Sequence, residues 1–331
     1  MKLLIITDAW KPQVNGVVRT LDMTSKELTK KGYKVNIVSP QGNKTLPCPT
    51  YSEIPLTLAP YKVVQNSFQQ FTPDTIHIAT EGPLGWAARK FCKTYDLNFT
   101  TSFHTRFPEY VHARTKIPTQ WSYKVLRHFH SIARRVMVTT PSMKDKLNSH
   151  GFRNLQRWSR GVDTELFKPA KRVFNSNKPK LLYVGRVAIE KNLNAFLEMD
   201  IDAHKIVVGD GPLLHLLKQK YPETLFTGAK FGKELVHYYA QADVFVFPSR
   251  TDTFGLVMLE ALSCGTPVAA FPTEGPIDVI QSSEVGCLNK DLKKATLTAL
   301  RKSRKQCRAY AENFSWDKCT RQFINHLVPI V

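Results

Sequence analysis

No apolar run in the 331 residues approaches the roughly 18 to 20 needed to span a bilayer. Leu3-Leu4-Ile5-Ile6 is too short for a signal-peptide core, meets Asp8 almost at once, and reads as a first strand. The six cysteines, at 48, 92, 264, 287, 307 and 319, form no CxxC pair. That argues against a zinc site or a disulfide framework and leaves reduced, cytosolic thiols as the expectation. Repeats and low-complexity tracts are missing as well. Acidic residues are scarce: 27 against 47 basic ones, a net charge of +20. The imbalance is uneven, with 24 Lys+Arg against 11 Asp+Glu in residues 1–166 and 23 against 16 in residues 167–331. Such an excess implies an anionic partner, whether a membrane surface, nucleic acid or an acidic substrate. No helix-turn-helix, zinc or aromatic-sheet signature of a nucleic-acid reader accompanies it.

What is present is a βα rhythm that runs, breaks and restarts. The length suggests two domains, and 42% hydrophobic residues can fill two cores. Strands are predicted at Leu3–Thr7, Lys34–Val38, Thr75–Ala79, Phe99–Phe103 and Val136–Thr140. Helices fall between them, over Arg19–Lys31 and Leu84–Tyr95. The first βα loop, Gln13-Val14-Asn15-Gly16-Val17-Val18, has a single glycine and so lacks the dinucleotide GxGxxG pattern. Gly16 permits close backbone approach at a helix start, or is an ordinary turn glycine. A polar stretch over 168–179 reads as a linker. Strands then resume at Lys180–Val184, Lys205–Val208, Leu225–Phe226 and Val268–Phe271, with helices over Asn192–Met199 and Leu213–Lys220. Residues 291–327 read as helical. The division is 1–167, 168–311 and a terminal helix in 312–331.

The chemistry concentrates in Ala242 to Gly265. Ala242–Phe247 reads as a buried parallel strand ending at Pro248, and Gly255–Ser263 as a helix stopped by Gly265-Thr266-Pro267. Arg250, Thr251, Asp252 and Thr253 lie between. An arginine beside a helix start, at the carboxyl end of a strand, suits an anionic oxygen-rich ligand such as a phosphate. Asp252 and Glu260, eight residues apart, are then better used as acceptors for sugar or ribose hydroxyls. The blander alternative is that Asp252 or Thr253 caps the helix and Glu260 is solvated. Arg186 and Lys191, in the loop after Lys180–Val184, add cations that can hold a diphosphate without a metal. No DxD-type carboxylate pair stands in a suitable loop. In the first half, His104 ends a strand and Thr105-Arg106-Phe107 follow; a lone histidine there is catalytic or structural. Residues 109–135 interleave Tyr110, Trp121, Tyr123 and Phe129 with Arg114, Lys116, Lys124, Arg127, Arg134 and Arg135. That pattern fits a segment lying on anionic lipid, or a helix packed on its own domain with a solvated basic face.

Seven motifs together resemble the retaining GT-B glycosyltransferases of family 4. They are Thr7–Trp10 with Pro12–Val17, Ala79–Pro83, Ser102–Tyr110, Ser159–Asp163, Gly185-Arg186 through Lys191-Asn192, Val208–Pro212, and Asp252 to Glu260. The subgroup most resembled holds GDP-mannose-dependent α-mannosyltransferases and sulfoquinovosyltransferase-like lipid enzymes. The resemblance implies an α/β fold of two Rossmann-like domains facing across a cleft. It implies that Gly16 lets backbone N–H groups meet the donor phosphate, and that Arg186 and Lys191 bind the diphosphate and stabilise it as it leaves. Glu260 takes the ribose hydroxyls. Asp252, where the family at large has glutamate, holds the donor sugar with the N–H groups of Phe254 and Gly255. The donor-binding set then comprises Gly16, Arg186, Lys191, Arg250, Asp252, Thr253, Phe254, Gly255, Leu256 and Glu260. His104 lies at the reacting sugar, and Asp8, Glu81 and Arg106 are acceptor-side candidates.

No cofactor and no metal are expected. The expected activity is hexose transfer, mannose from GDP-mannose favoured, to a lipid or lipid-linked acceptor at the cytoplasmic face of a membrane. The alternatives are a UDP-sugar-dependent lipid glycosyltransferase, a nucleotide-sugar epimerase and a basic nucleic-acid-binding protein.

Overall fold

A computed structural model describes every residue except 14, 49–50 and 173–176, together with the side chains of 51–54 and 113–114, which are likewise not described. Val14 of the first loop motif, residues 173–176 of the linker and the Arg114 side chain therefore lie outside the described residues. The chain forms two compact units. One comprises Met1–Val111, Ile117–Arg160 and Trp316–Val331; the other His112–Lys116 and Gly161–Ser315.

The first unit carries β1 (Lys2–Ile6), α1 (Gly16–Lys30), β2 (Lys34–Val38), a hairpin of β3 (Thr45–Cys48) and β4 (Tyr51–Thr57), and α2 (Pro60–Phe71). There follow β5 (Thr75–Ile78), α3 (Pro83–Thr94), β6 (Thr100–Phe103), α4 (Phe107–Thr115, which belongs to this unit only as far as Val111), α5 (Thr119–His130), β7 (Arg135–Val138), α6 (Pro141–Ser149) and β8 (Leu155–Arg157). Its main sheet is parallel throughout, in the order β2-β1-β5-β6-β7-β8. Leu4, Ile6, Ile76, Ile78, Val136 and Val138 feed the core on one face.

The second unit holds β9 (Lys180–Val184), α7 (Asn194–Leu197), β10 (His204–Val208), α8 (Leu214–Lys220), β11 (Leu225–Phe226), α9 (Gly232–Gln241) and β12 (Val244–Phe247). It continues with α10 (Leu256–Ser263), β13 (Val268–Ala270), α11 (Glu274–Val279), β14 (Gly286–Leu288), α12 (Leu292–Ala299) and α13 (Arg304–Ala311). The parallel order β11-β10-β9-β12-β13-β14 is the doubly wound Rossmann order. Alternate residues enter two cores, Leu182, Phe245 and Phe247 on one face and Leu181, Tyr183, Val244 and Val246 on the other. Both faces are therefore covered, which is why these strands read as unbroken apolar runs.

Contacts divide the chain at Arg160/Gly161 rather than after 167, because Val162 and Phe167 belong to the second unit's core. The last helix, α14 (Trp316–His326), belongs to the first unit. Its buried Phe323 lies 4.9 Å from the His77 ring, and Asp317 pairs with Lys31 of α1. Three sequence expectations change. Asn192 takes a left-handed backbone to donate to the Pro248 carbonyl, so the helix read over Asn192–Met199 shrinks to α7. The helical stretch over 291–327 is three helices, interrupted where Ser303 caps α13. A further strand, β14, follows β13; its three residues, beginning with glycine, give no readable period.

Candidate active site

In a doubly wound sheet, ligands bind beyond the carboxyl ends of strands where the strand order reverses. In the second unit that point lies between β9 and β12. Two loops leave it, 185–192 and 248–255, and three contacts join them. Lys191 Nζ lies 2.6 Å from Asp252 Oδ1, Asn192 Nδ2 donates to Pro248 O at 3.1 Å, and Thr251 Oγ1 donates to Glu190 O at 3.1 Å. Asp252 Oδ2 is buried and accepts no hydrogen bond from the described residues. A buried acceptor left in this state is costly unless a ligand supplies the donor. Arg186 Nη1 is 3.8 Å from Glu190 Oε1, and Tyr183 Oη donates to the Arg186 carbonyl at 2.8 Å, fixing the loop. The Arg250 guanidinium stacks 4.0 Å from the centre of the Phe271 ring.

The cap position of α10 offers no side-chain hydrogen bond, and Asp252 Oδ1 is engaged by Lys191 instead. The cap position is Gly255, at φ +85°, where a Cβ would come within 2.8 Å of Met258 Cε. Thr253 and Phe254 are buried, and Leu256 opens the helix. Glu260 is 3% exposed rather than solvated; its Oε2 accepts from Tyr239 Oη at 2.9 Å. Next to this edge, the Gly209 loop packs backbone to backbone on Gly185: a Cβ on Gly209 would sit 1.8 Å from the Gly185 carbonyl oxygen. Sequence reading missed Tyr239, which looks like any core aromatic. It also missed Gly275, whose lack of a Cβ lets α11 abut the Asp252 and Phe254 backbone; its Gly-Pro pair after a strand was the available signal.

The first unit's reversal lies between β1 and β5, and the chain itself fills it. Asp8 Oδ1 accepts from Leu84 N at 2.8 Å, and Oδ2 from Thr80 Oγ1 at 2.9 Å and Gly85 N at 3.3 Å. It thus serves the start of α3, and a Cβ on Gly82 would lie 2.4 Å from its Cγ. Burial pushes its carboxyl above the ordinary aspartate value, against those hydrogen bonds. Gly16 opens α1 beside Asn15, whose Oδ1 accepts from Val17 N and Val18 N at 3.0 Å each. Arg106 Nη2 is bound to Glu109 Oε1 at 2.7 Å, which also takes Tyr123 Oη and Lys146 Nζ. Glu81 Oε1 accepts from His130 Nε2 at 3.2 Å. His104 is buried at the end of β6, and its Nδ1 accepts from Arg160 Nη2 at 2.9 Å. Burial, and then the Arg160 charge, hold its pKa well below the ordinary histidine value. Asp8 and Arg106 are thus committed to structural partners. Lys191 and Asp252 are brought into contact.

On the basic segment the structure is selective. Tyr123 and Phe129 are core residues, so they are not available to a surface. Arg135 Nη1 donates to the Asn325 carbonyl. Trp121 is 66% exposed, and Lys124, Val125, Arg127 and His128 are exposed on α5 with it.

Cations, a helix start opened by glycine, and two carboxylates, Asp252 half-buried and Glu260 buried, suit a ligand that is anionic at one end and hydroxyl-bearing at the other. The family model Glycosyltransferase Family 4 matches residues 14–166, and Glycosyl transferases group 1 matches residues 165–314. The chain is 32% identical over 265 residues to sulfoquinovosyl transferase of Arabidopsis thaliana, covering 74% of this chain; it spans about half, 52%, of that protein's length. It is 27% identical to a GDP-mannose-dependent alpha-mannosyltransferase of Corynebacterium glutamicum, over 87% of this chain and 76% of the other. It is 26% identical to an alpha-monoglucosyldiacylglycerol synthase of Streptococcus pneumoniae, over 91% and 78%. Among solved structures, sucrose-phosphate synthase of Thermosynechococcus elongatus superposes with a TM-score of 0.80 at 18% identity, over 98% of this chain and 97% of that one. Anabaena HepE in complex with UDP-glucose superposes with a TM-score of 0.70 at 15% identity, over 98% of each. The fold is GT-B, and the chain belongs to the family 4 glycosyltransferases.

Proposed function

We propose that this glycosyltransferase moves a hexosyl group, mannose from GDP-mannose, to a hydroxyl of a lipid or lipid-linked acceptor with retention at C1. The observation that carries the reading is the Lys191–Asp252 pair, with the second Asp252 oxygen buried and open to a donor. Lys191 and Arg186 hold the diphosphate, with the N–H groups at the start of α10. Asp252 takes the sugar hydroxyls, and Glu260, set by Tyr239, takes the ribose. The mannosyltransferase relative aligned over 87% of the chain supports mannose.

No side chain of the second unit's site is placed as a nucleophile in this reading. The bond from C1 to the diphosphate breaks with its electron pair passing to phosphate oxygen. The acceptor oxygen bonds C1 from the same face, and its proton goes to the departing diphosphate. Fixed charges aimed at that developing anion supply most of the rate, with positioning. No metal takes part. His104, kept neutral, contributes a hydrogen bond at the reacting sugar.

No helix among the described residues is long and apolar enough to cross a membrane. The exposed Trp121 with Lys124, Arg127 and His128 supports reversible docking on an anionic surface at its cytoplasmic side. A lipid acceptor is in keeping with the diacylglycerol-named relative. A second reading, a UDP-sugar-dependent lipid glycosyltransferase, draws on the 32% identity to the sulfoquinovosyl transferase.

A thermal-shift screen of GDP, UDP and ADP with their sugars tests the donor. A ligand at ~100 times its Kd adds about 2.7 kcal/mol of stability. GDP and GDP-mannose are expected to give the largest shift. A shift confined to UDP-sugars would replace the first reading by the second, and no shift with any nucleotide would remove both.

A further inference from the structure

Arg160 is a buried cation whose charge no carboxylate pairs among the described residues. Its Nη1 donates to the Trp158 carbonyl at 2.8 Å and the Ser159 carbonyl at 3.0 Å. The guanidinium lies 4.5 Å from the centre of the Trp158 ring. Its Nη2 donates to His104 Nδ1. The segment is held from behind by α14, where Cys319 Sγ donates to Ser159 O at 3.1 Å and Gln322 Oε1 accepts from Ser159 N at 2.9 Å. A guanidinium has only donors, so the His104 nitrogen facing it must be the acceptor.

From this geometry we infer that Arg160 is a positioning residue that locks His104 as a neutral imidazole with its hydrogen on Nε2. The inference deepens the proposed role of His104 and rests on that reading for its catalytic consequence, not for the lock itself. Two effects combine. The Nδ1 lone pair is occupied, which excludes the other tautomer. A second proton on the ring would place two positive charges in contact inside the protein, which the low dielectric makes unfavourable. The other titratable groups around His104 add no negative charge against this: His77 on β5 is buried and pushed down to about 3, and His130 on α5 is bound to Glu81. Burial lowers Arg160 to about 10, which still leaves it charged at neutral pH. The ring is thus a fixed hydrogen-bond donor, insensitive to pH over the physiological range.

The test is long-range proton–nitrogen NMR on the full chain with labelled histidine, from pH 5.5 to 8.5, with His104 assigned by its loss in His104→Gln. Wild type is expected to show a single Nε2–H tautomer that does not titrate. In Arg160→Met the ring should populate both tautomers, and Arg160→Lys should restore part of the lock. A wild-type ring protonated on Nδ1, or doubly protonated within the window, overturns the inference even if Arg160→Met does not fold. So does an Arg160→Met ring that behaves as wild type. GDP release from GDP-mannose gives the catalytic readout: Arg160→Met should lower kcat on the order of 100-fold with little change in KM. If His104→Gln keeps wild-type turnover, the role given to His104 fails, while the NMR still decides the lock.

Discussion

Lys191 and Asp252 are 61 residues apart in sequence and 2.6 Å apart in space, joining the loops that follow β9 and β12. Before a donor arrives, each neutralises the other. In the proposed reading, a bound diphosphate gives Lys191 a second anion and frees Asp252 for hydroxyls. Lys191→Ala should therefore weaken GDP binding and slow turnover, each by about 2 to 3 kcal/mol, the size of a charged hydrogen bond. Asp252→Asn should bind GDP at least as well as wild type while losing turnover of the sugar nucleotide. Calorimetry with GDP and steady-state kinetics separate the two, and a drop in GDP affinity in Asp252→Asn would count against the arrangement.

Tyr239 places Glu260 through one hydrogen bond of 2.9 Å. Tyr239→Phe keeps the ring in its core and removes only that donor. Donor affinity should fall by about 1 kcal/mol, and Glu260→Gln should cost more. Nucleoside diphosphates of different sugars should lose affinity equally, since the ribose is common to all. Unchanged affinity in both variants would detach Glu260 from the nucleoside.

Glu109 gathers Arg106, Lys146 and Tyr123. Burial lifts its carboxyl, but the hydrogen bond and charge of Arg106, then Lys146, outweigh it, so its folded pKa lies below the ordinary glutamate value. A depressed carboxylate stabilises the fold above its unfolded pKa, about 4.3, and loses that contribution as pH falls through the folded value. Glu109→Gln should cost about 3 kcal/mol at pH 7, as when one partner of a buried pair is removed. It should also flatten the loss of stability below pH 5. Urea unfolding at stepped pH measures both; parallel acid limbs in the two proteins would refute the assignment.

Activity should persist in excess EDTA, because Arg186, Lys191 and the start of α10 take the charge that a divalent ion would otherwise neutralise. Loss of turnover in chelator, restored by Mn²⁺ or Mg²⁺, would contradict this.

Vesicle sedimentation examines the α5 face. Binding should be stronger to anionic than to neutral vesicles and should fall with salt. Replacing Trp121, Lys124 and Arg127 together should weaken it, each basic residue contributing about 1 kcal/mol. Arg135 is left in place because it holds the α14 backbone. Equal, negligible binding to both vesicle types at low salt would end the membrane reading and leave the transferase intact.

The sequence alone determined most of the parallel strands, because a strand covered on both faces is an unbroken apolar run bounded by turns, as at Lys180–Val184 and Val244–Phe247. It also marked the residues of the second unit's edge, since loops after such strands keep their polar residues adjacent in sequence. It did not mark the β3–β4 hairpin or the three-residue β14, which are too short to show a period. Partnership was decided only in three dimensions. Asp8, His104 and Arg106 were all read as polar residues at strand ends. Tertiary packing gave Asp8 to the start of α3, Arg106 to Glu109 and His104 to Arg160, which follows it by 56 residues. Whether a buried polar group is a cap, an ion pair or a poised donor depends on what the fold brings within about 3 Å of it. No spacing along the chain encodes that distance.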